Sequence, residues 1–388
     1  MERENASEHQ LPKVGQSMYF PPEIFTHIIL HLHEDKHTLL QLSLTCKYLY
    51  DLVTPLLWQY ISLTPWSNTY EKKYYTTLQI TQKEYMRRKL EDEYEFDGSI
   101  GISPTHIHLS NSRLSELFNY VNVLDIEYHK VTWCRSSFID EDEESPSPSP
   151  SFERLDTLHL RYNDDQWPTS LHPGNDTVPC RLLRSLRPTT LYIHVPTLEL
   201  ISRFHLPDNI LNSVQHVILI SGPRLYAIPE GQCGFTEPVL EALQTIKSLT
   251  ILFEPSAPSP IMGKVPMANH PSLFNVSFIS SITKCVNIDT PVHIVNAGYI
   301  EKIRHRGSTK SIEQLHQDSM EIIKENIELI CNDPYGNAVN WSKSDTQKRK
   351  DNLIFETMEE WIDNGQWEGK MKEREVMGWS DVISKEAM

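Results

Sequence analysis

Residues 155–162 read LDTLHLRY, and the pattern of a leucine, one polar residue and a second apolar residue recurs along the middle of the chain. Related segments are NVLDIEY (122–128), TTLYIHV (189–195), QHVILIS (215–221), KSLTILF (247–253) and FNVSFIS (274–280). Apolar residues at every second position are typical of a β-strand with one face in the core, because successive strand side chains point to opposite faces. The middle of the chain is therefore predicted to form a sheet.

Helix-like stretches separate these segments and predict how the strands connect. They are SRLSELF (112–118), RLLRSL (181–186), TLELISRF (197–204) and TEPVLEALQTI (236–246). Strands alternating with helices favour right-handed crossovers and a parallel sheet. The spacing of about 26 to 34 residues is near that of repeat units, and the region loosely resembles a divergent leucine-rich-repeat array. A further strand is predicted at PVHIVNA (291–297), and a generic α/β domain without repeats is the alternative.

The chain becomes helical in pattern after Gly307. The segments SIEQLHQDSMEIIKENIELIC (311–331) and DNLIFETMEEWIDNG (351–365) both place apolar residues at helical spacing. Ser311 and Gln314 have the spacing of a capping box. Residues 308–388 are therefore predicted to be a helical cap over the exposed end of the sheet's core.

Composition marks several segments outside the sheet. Residues 1–17 are predicted to be disordered, and residues 66–109 to be a charged linker or insertion ahead of the repeat-like domain at 110–307. Within that domain the stretch IDEDEESPSPSPS (139–151) suits neither a helix nor a central strand, so we expect a disordered loop. Ser145, Ser147 and Ser149 each precede proline and are candidate phosphorylation sites, or plain spacer residues.

A second informative stretch, FPPEIFTHIILHL (20–32), lies near the N-terminus. Pro21 and Pro22 suit the first turn of a helix, where a missing N–H costs nothing. Ile24, Ile28 and Leu32 repeat at i, i+4 and i+8 within an apolar arc wider than one neighbouring helix would bury. We therefore expect this helix to pack against two surfaces.

Short helical segments follow this first helix. Thr38 is a candidate N-cap for TLLQLSLTC (38–46), KYLYDLV (47–53) comes next, and Pro55 is expected to begin a further run, PLLWQYISL. Helices shorter than about 12 to 15 residues are barely stable alone, so these should stabilise one another or pack on a partner.

The run from Phe20 to Leu63 resembles an F-box. In that family the module docks a Skp-type adaptor, which joins it to the cullin scaffold of an SCF ubiquitin ligase. The resemblance implies a module over residues 18–65 with adaptor-binding residues Phe20 (where leucine is usual), Pro21, Pro22, Glu23, Ile24, Ile28, Leu32, Leu40, Leu42, Leu44, Cys46, Lys47, Leu57 and Trp58. Leu49 lies where tryptophan is common, which leaves a smaller anchor there. The alternative is an ordinary helical hairpin with every leucine buried internally.

Composition limits the remaining possibilities. A net charge of −16 over 388 residues argues against general nucleic-acid binding through phosphate neutralisation. The 6 cysteines are scattered singly, as in reduced intracellular proteins, and no apolar run approaches the roughly 18 residues of a membrane span. We therefore expect a cytoplasmic or nuclear protein, or one found in both compartments.

Signatures of common enzyme and metal sites are missing from the sequence. It contains no GxSxG, GxxxxGKS or GxGxxG motif, and His27 and His31 lack the glutamate of an HExxH site. We expect no catalytic residue, cofactor or metal. A substrate surface, if present, should lie at strand positions that alternate with the leucines, and the candidates are Glu127, His159, Arg161, Tyr192, His194 and Thr250. The simpler alternative is a solvated sheet face.

These features together predict an α/β protein with a small N-terminal three-helix F-box module, an irregular leucine-rich-repeat-like array and C-terminal capping helices. The resemblance implies a non-catalytic substrate-recognition subunit of an SCF ubiquitin ligase, with a Skp-type adaptor, a cullin and a protein target as partners. The alternative is a non-ligase scaffold that binds one partner through the same helices.

Overall fold

A computed structural model describes residues 22–32, 35–67, 74–79, 116–127, 152–161, 171, 180, 182–195, 206–221, 237–255, 279–280, 282–300, 310–332 and 342–387. The chain divides into two units, Met1–Leu57 and Trp58–Met388. Among the described residues, no helix is both long enough and apolar enough to cross a membrane. The predictions for residues 1–17, 139–151 and 197–204 fall outside this part of the chain, as do those for Ser145, Ser147 and Ser149.

Three helices follow one another at the N-terminal end: α1 (Pro22–His31), α2 (Lys36–Ser43) and α3 (Lys47–Trp58). Ile29, Leu39 and Val53 are almost completely buried, one from each helix. Since each helix has only two or three turns, burial of these side chains is needed to hold them. The start of α1 at Pro22 agrees with the prediction.

Two details of these helices correct the sequence predictions. The N-cap of α2 is Asp35 and not Thr38, because the Asp35 carboxylate accepts from the Thr38 backbone N–H (3.1 Å) and hydroxyl (2.6 Å). Pro55 does not begin a new helix but lies inside α3. Next to this proline, the Thr54 hydroxyl donates to the Tyr50 carbonyl at 2.6 Å.

The described residues of the second unit form a sheet of nine strands in the order β2-β1-β3-β4-β5-β6-β7-β8-β9. Of these described strands, eight are parallel and β2 runs antiparallel, on β1. The strands are β1 (Tyr60–Ser67), β2 (Tyr74–Gln79), β3 (Val123–Glu127), β4 (Thr157–Arg161), β5 (Thr190–Val195), β6 (His216–Ser221), β7 (Ser248–Phe253), β8 (Val292–Val295) and β9 (Leu353–Glu356).

Helices on one side of the sheet complete its main core. They are a 3-10 helix (Leu182–Ser185), α4 (Asp208–Leu211), α5 (Glu237–Thr245) and α6 (Ile312–Asn332). The strand residues in this core are the predicted ones, for example Leu124, Leu158 and Leu191, which are partners in the sheet register. The second unit is therefore a mixed α/β fold with a parallel sheet.

The opposite face of the sheet is covered by the C-terminal region. After α7 (Lys343–Asp351) and β9 come α8 (Met358–Asp363) and α9 (Glu373–Ala387). We call residues Met358–Ala387 the strap, and the sheet face that they contact the strap face. A second apolar cluster joins strand residues Tyr192, Ile218, Ile220, Leu252 and Val295 to strap residues Met358, Trp361, Met371, Val376 and Trp379.

Several strand predictions need correction. Residues 274–280 were expected to form a strand, but Ile279 and Ser280 are helical and β7 pairs directly with β8. Residues 353–356 form β9 where a helix was expected, and β2 lies within the predicted linker. The C-terminal helices α8 and α9 cover a face of the sheet, whereas the sequence predicted a cap at its end. The capping box of Ser311 and Gln314 at the start of α6 is present.

A buried arginine ties α7 to the loop before β8. The Arg349 guanidinium donates to the carbonyl oxygens of Thr290 (2.9 Å), Val286 (2.8 Å) and Asn287, and the side chain is fully buried. Buried backbone carbonyls need a hydrogen-bond donor, and the guanidinium supplies one to each of these three. Arg349 therefore fixes α7 and the adjoining β9 to the sheet.

Replacing Arg349 tests this role. Arg349→Leu removes the donor shared by three carbonyls and should lower the free energy of unfolding by roughly 3–5 kcal/mol. The matched control is Lys348→Leu, which removes an exposed ion pair with Asp289 and should cost below about 1 kcal/mol. Urea unfolding of both variants measures the difference, and equal losses would contradict the assignment.

Candidate functional site

The first candidate surface lies on the three N-terminal helices, which leave large apolar side chains exposed. Ile29, Leu39 and Val53 are buried, whereas other apolar side chains of the same helices, and of the loop between α2 and α3, are exposed. We call these the exposed apolar set: Ile24 (44%), Ile28 (47%), Leu30 (51%), Leu44 (67%) and Tyr48 (50%). A concentration of large exposed apolar residues in so short a segment is typical of a protein-binding surface.

The structure separates the predicted adaptor-binding residues into groups. Glu23, Ile24, Ile28, Leu44, Cys46 and Lys47 are exposed, while Leu32, Leu40 and Leu42 are half-buried. Leu57 is buried, and the Trp58 ring packs edge-on against Phe118 with centroids 6.2 Å apart. Pro22 is the first residue of α1, and Phe20 and Pro21 lie outside the described residues.

Leu30 and Tyr48 are exposed apolar residues that the sequence prediction did not include. Leu30 lies in the dense apolar run of α1, where spacing alone does not tell which side chains the other helices cover. Tyr48 lies in the first turn of α3, beside the predicted Lys47. The sequence shows that both residues are largely apolar, but it does not show that they are exposed.

The second candidate surface is the strap face. Because the strands are in parallel register, Asp125, His159 and Tyr192 are neighbours across β3, β4 and β5, on the face opposite the leucines. Arg161 and His194 are partners one step further along the same strands. The first strands thus bring polar side chains together, whereas β6 and β7 add Ile218, Ile220 and Leu252.

A network of charged groups surrounds Asp125, whose side chain is fully buried. Arg161 Nε lies 2.9 and 3.0 Å from the two Asp125 carboxylate oxygens, and Lys372 Nζ is 3.2 Å from one of them. The hydroxyls of Tyr60 and Ser62 also donate to this carboxylate, each at 3.2 Å. Four donor groups, with the Arg161 Nε–H shared between both oxygens, thus replace the water that Asp125 loses on folding.

The electrostatic balance keeps Asp125 ionised. Burial by itself would raise the pKa of Asp125, but the positive charges of Arg161 and Lys372 outweigh it and hold that pKa below its ordinary value. Arg161 is in turn shared, because its two terminal nitrogens contact Glu375 at 3.0 and 2.7 Å. The strap residues Lys372 and Glu375 therefore complete a network whose other members lie on the sheet.

A chain of hydrogen bonds fixes both histidines in the neutral form. His159 Nε2 lies 2.7 Å from the Lys370 carbonyl oxygen, so this nitrogen donates, and Nδ1 accepts from His194 Nε2 at 3.1 Å. The remaining His194 nitrogen faces an Arg161 N–H at 3.4 Å. Burial lowers the pKa of His159 to about 4, although Asp125 acts in the opposite direction. Burial and the positive charge of Arg161 lower the pKa of His194.

The predicted substrate residues are therefore placed differently from the open surface that was expected. His159, Tyr192, His194 and Thr250 are buried, and Arg161 is half-buried. Tyr192 stacks on His159 with centroids 4.3 Å apart and lies in the cluster that contains the strap tryptophans. Glu127 is paired with Arg161 in the register, but its side chain is outside the described part. Binding of a substrate by these residues stays a prediction.

Asp125 and the strap residues were missed, for different reasons. Asp125 lies between the core residues Leu124 and Ile126, so strand alternation predicts that it faces away from the core. Lys372 and Glu375 are more than two hundred residues away in sequence from Asp125 and Arg161, and no local pattern connects them. Only the folded chain brings these charges together.

One group of side chains has the composition of a metal site. His194, Glu254 and Glu375 place potential ligand atoms within 4.8 Å of one another. Arg161, however, contacts both Glu375 and His194, so its positive charge already pairs with two of these three side chains. The geometry is that of an ion pair shared between the sheet and the strap, which a metal ion would have to break.

Comparison with known proteins identifies the N-terminal helices. Residues 20–64 match the family model described as F-box-like. These residues form an F-box-like domain, as the sequence predicted over residues 18–65. No curated protein and no solved structure matches the chain.

Protonation of His159 should make stability depend on pH. Between about pH 6.5 and about pH 4 the unfolded chain binds a proton at His159 that the folded chain excludes, so stability decreases as pH falls through this window. The expected loss is up to about 3 kcal/mol. His159→Gln keeps a neutral donor and should flatten this decrease. Urea unfolding at several pH values measures it, and identical slopes for the two proteins would contradict the neutral, buried assignment.

Proposed function

We propose that this chain is the substrate-recognition subunit of an SCF ubiquitin ligase. The F-box-like domain would dock a Skp-type adaptor through the exposed apolar set, and the adaptor would join the chain to a cullin scaffold. The second unit would hold a protein target. The sequential order of the parallel strands, with helices between them, supports a leucine-rich-repeat-like arrangement of that unit.

The exposed apolar set carries this proposal. F-box domains bind Skp-type adaptors, and in this chain the F-box-like region has large apolar side chains that its own core does not use. Burying a leucine-sized side chain contributes about 1.5–3 kcal/mol, so each half-exposed residue still has about 1 kcal/mol to contribute on docking. Five such residues are enough to give a specific interface, since a few anchors usually dominate binding.

The proposed mechanism is proximity rather than chemistry by this chain. A receptor that holds a target beside a ubiquitin-conjugating enzyme raises the effective concentration of the target's lysines there. The chain's own residues would supply two binding surfaces, one on each unit. A cytoplasmic or nuclear location follows as part of the proposal, because the ligase operates in those compartments.

Charge placed in the exposed apolar set tests adaptor docking. Ile28→Asp combined with Leu44→Asp should reduce retention of a Skp-type adaptor in a pull-down by about a hundredfold or more, because two anchors become charged groups that lose water on docking. Both side chains are exposed, so the helices should stay folded. Circular dichroism and thermal unfolding check this.

The matched control is Leu329→Asp, which changes an equally exposed leucine on α6. This variant should retain the adaptor as the wild type does. If the double variant still binds the adaptor, or if the wild type does not bind it, the proposal is wrong. Retention of the adaptor without a cullin would instead indicate a scaffold that binds one partner.

A further inference from the structure

The strap occupies the sheet face on which the target-binding residues were predicted. Lys370 to Trp379 contact His159, Arg161, Asp125 and the Tyr192 cluster, so this part of the chain lies where a target would have to bind. We propose that the strap face is a binding site for an amphipathic helix of a protein target, and that α9 is a resident helix which such a target displaces. This inference rests on the target-holding part of the proposed function.

The contacts of α9 define the polar half of the ligand. Lys372 lies one residue before α9 begins and Glu375 lies in its first turn, so both side chains belong to the start of the helix. Lys372 reaches Asp125 at 3.2 Å and lies 5.2 Å from the centre of the Tyr60 ring. Glu375 forms a bidentate salt bridge with Arg161, the geometry that gives arginine–carboxylate pairs directional specificity. The site therefore selects a cation and an anion in a fixed order.

The apolar half of the ligand follows on the same helix face. Val376 is fully buried and Trp379 almost so, and both belong to the cluster with Tyr192 and Ile218. The spacing from Glu375 to Val376 and Trp379 places a continuous side of α9 against the sheet. The structure thus assigns a ligand pattern of Lys-x-x-Glu-Val-x-x-Trp. The two charged residues of this pattern contact β3 and β4, and the two apolar residues pack in the cluster formed by β5 and β6.

Other features of α9 suit a helix that can leave. This helix pairs with no strand of the sheet, so its release leaves every described strand pairing intact. Its outer side, including Glu373, Arg374 and Met377, is exposed. Gly378 lies inside α9 in an exposed position where a Cβ would meet nothing within 4 Å, so the glycine serves no packing need. Glycine in a helix interior lowers helix stability relative to alanine, which favours opening.

The charged network also favours exchange over permanent closure. Breaking a pair by removing one partner is costly when the other charge stays buried, whereas replacing the partner by an equivalent one restores the contact. A target helix with the same charge order would satisfy Asp125 and Arg161 as α9 does. A helix with the opposite order would place like charges together, so the network selects among targets.

Hydrogen exchange of the unmodified full chain tests whether α9 opens by itself. The backbone amides of α9 should exchange at least about tenfold faster than those of β5, β6 and β7, because local opening leaves the strand pairing intact. Gly378→Ala should slow exchange in α9 about threefold or more without changing the strands. Exchange of α9 only together with the strands would overturn the inference.

Peptide binding tests the ligand pattern directly. The probe is a fluorescently labelled peptide of residues 370–387, and the receptors are full-length chains. Wild type should bind it weakly, since its own strap competes at high effective concentration. Two variants are designed to open the strap: the single variant Trp379→Ala, and the double variant that carries both Lys372→Glu and Glu375→Arg. Each of these opened chains should bind the peptide about tenfold or more tightly than wild type.

Charge reversals make the peptide test specific. Adding Arg161→Glu to the Trp379→Ala chain should lower affinity for the native peptide and raise it for a peptide with Glu375→Arg. A peptide with Arg374→Glu, changed on the exposed side, should bind like the native one. If both opened chains are folded by circular dichroism and neither binds, or if the Arg161 change does not alter the preference, the inference is wrong.

The adaptor pull-down on the same protein samples separates this inference from the proposed function. Adaptor retention without peptide binding would leave the F-box role intact and overturn only the helix-binding site. Peptide binding without adaptor retention would do the reverse.

Discussion

The buried carboxylate of Asp125 links strand β3 to the strap, two parts of the second unit that are far apart in sequence. It stays charged away from water because Arg161 on the neighbouring strand and Lys372 on the strap both contact it. Arg161 then reaches Glu375, so the strap meets the sheet with one positive and one negative charge. Since an unpaired charge at this depth would be very costly, the sheet needs this strap or a ligand of the same chemistry.

Each unit has a surface of side chains outside its buried residues, but one surface is exposed and the other is covered. In the F-box-like domain, large apolar side chains remain exposed although Ile29, Leu39 and Val53 are buried. On the strap face, the side chains beyond the leucine core are already covered, by the chain's own C-terminal helices. The first surface is therefore open for a partner, whereas the second has a resident occupant. A protein that bridges an adaptor and a target needs two such surfaces with separate control.

The sequence was sufficient for the features that depend on local periodicity. Leucine alternation predicted β3 to β7, because each of these patterns lies within one element, and the resemblance of Phe20–Leu63 to an F-box predicted the N-terminal domain. Strands β6 and β7 also carried an unused signal. Their runs VILI and LTILF are apolar at nearly every position, which is typical of strands buried on both faces, and a cover for the second face follows from it.

The rest depended on contacts that no local pattern encodes. Residues 353–356 have mixed spacing and became a strand because β8 offered a free edge, while the cap of α2 was decided by competition between Asp35 and Thr38. The predicted polar residues of the strap face were on the expected side of the sheet, but their partners Lys372 and Glu375 came from a segment assigned to a terminal cap. Sequence reasoning therefore located the residues and missed what covers them.

Differential hydrogen exchange with a Skp-type adaptor tests most directly the claim that the chain docks its adaptor through its N-terminal surface. The account predicts protection of α1, α2 and the start of α3 when the adaptor is added, with exchange in β3 to β8 unchanged. Protection in the sheet without protection in α1 would contradict it.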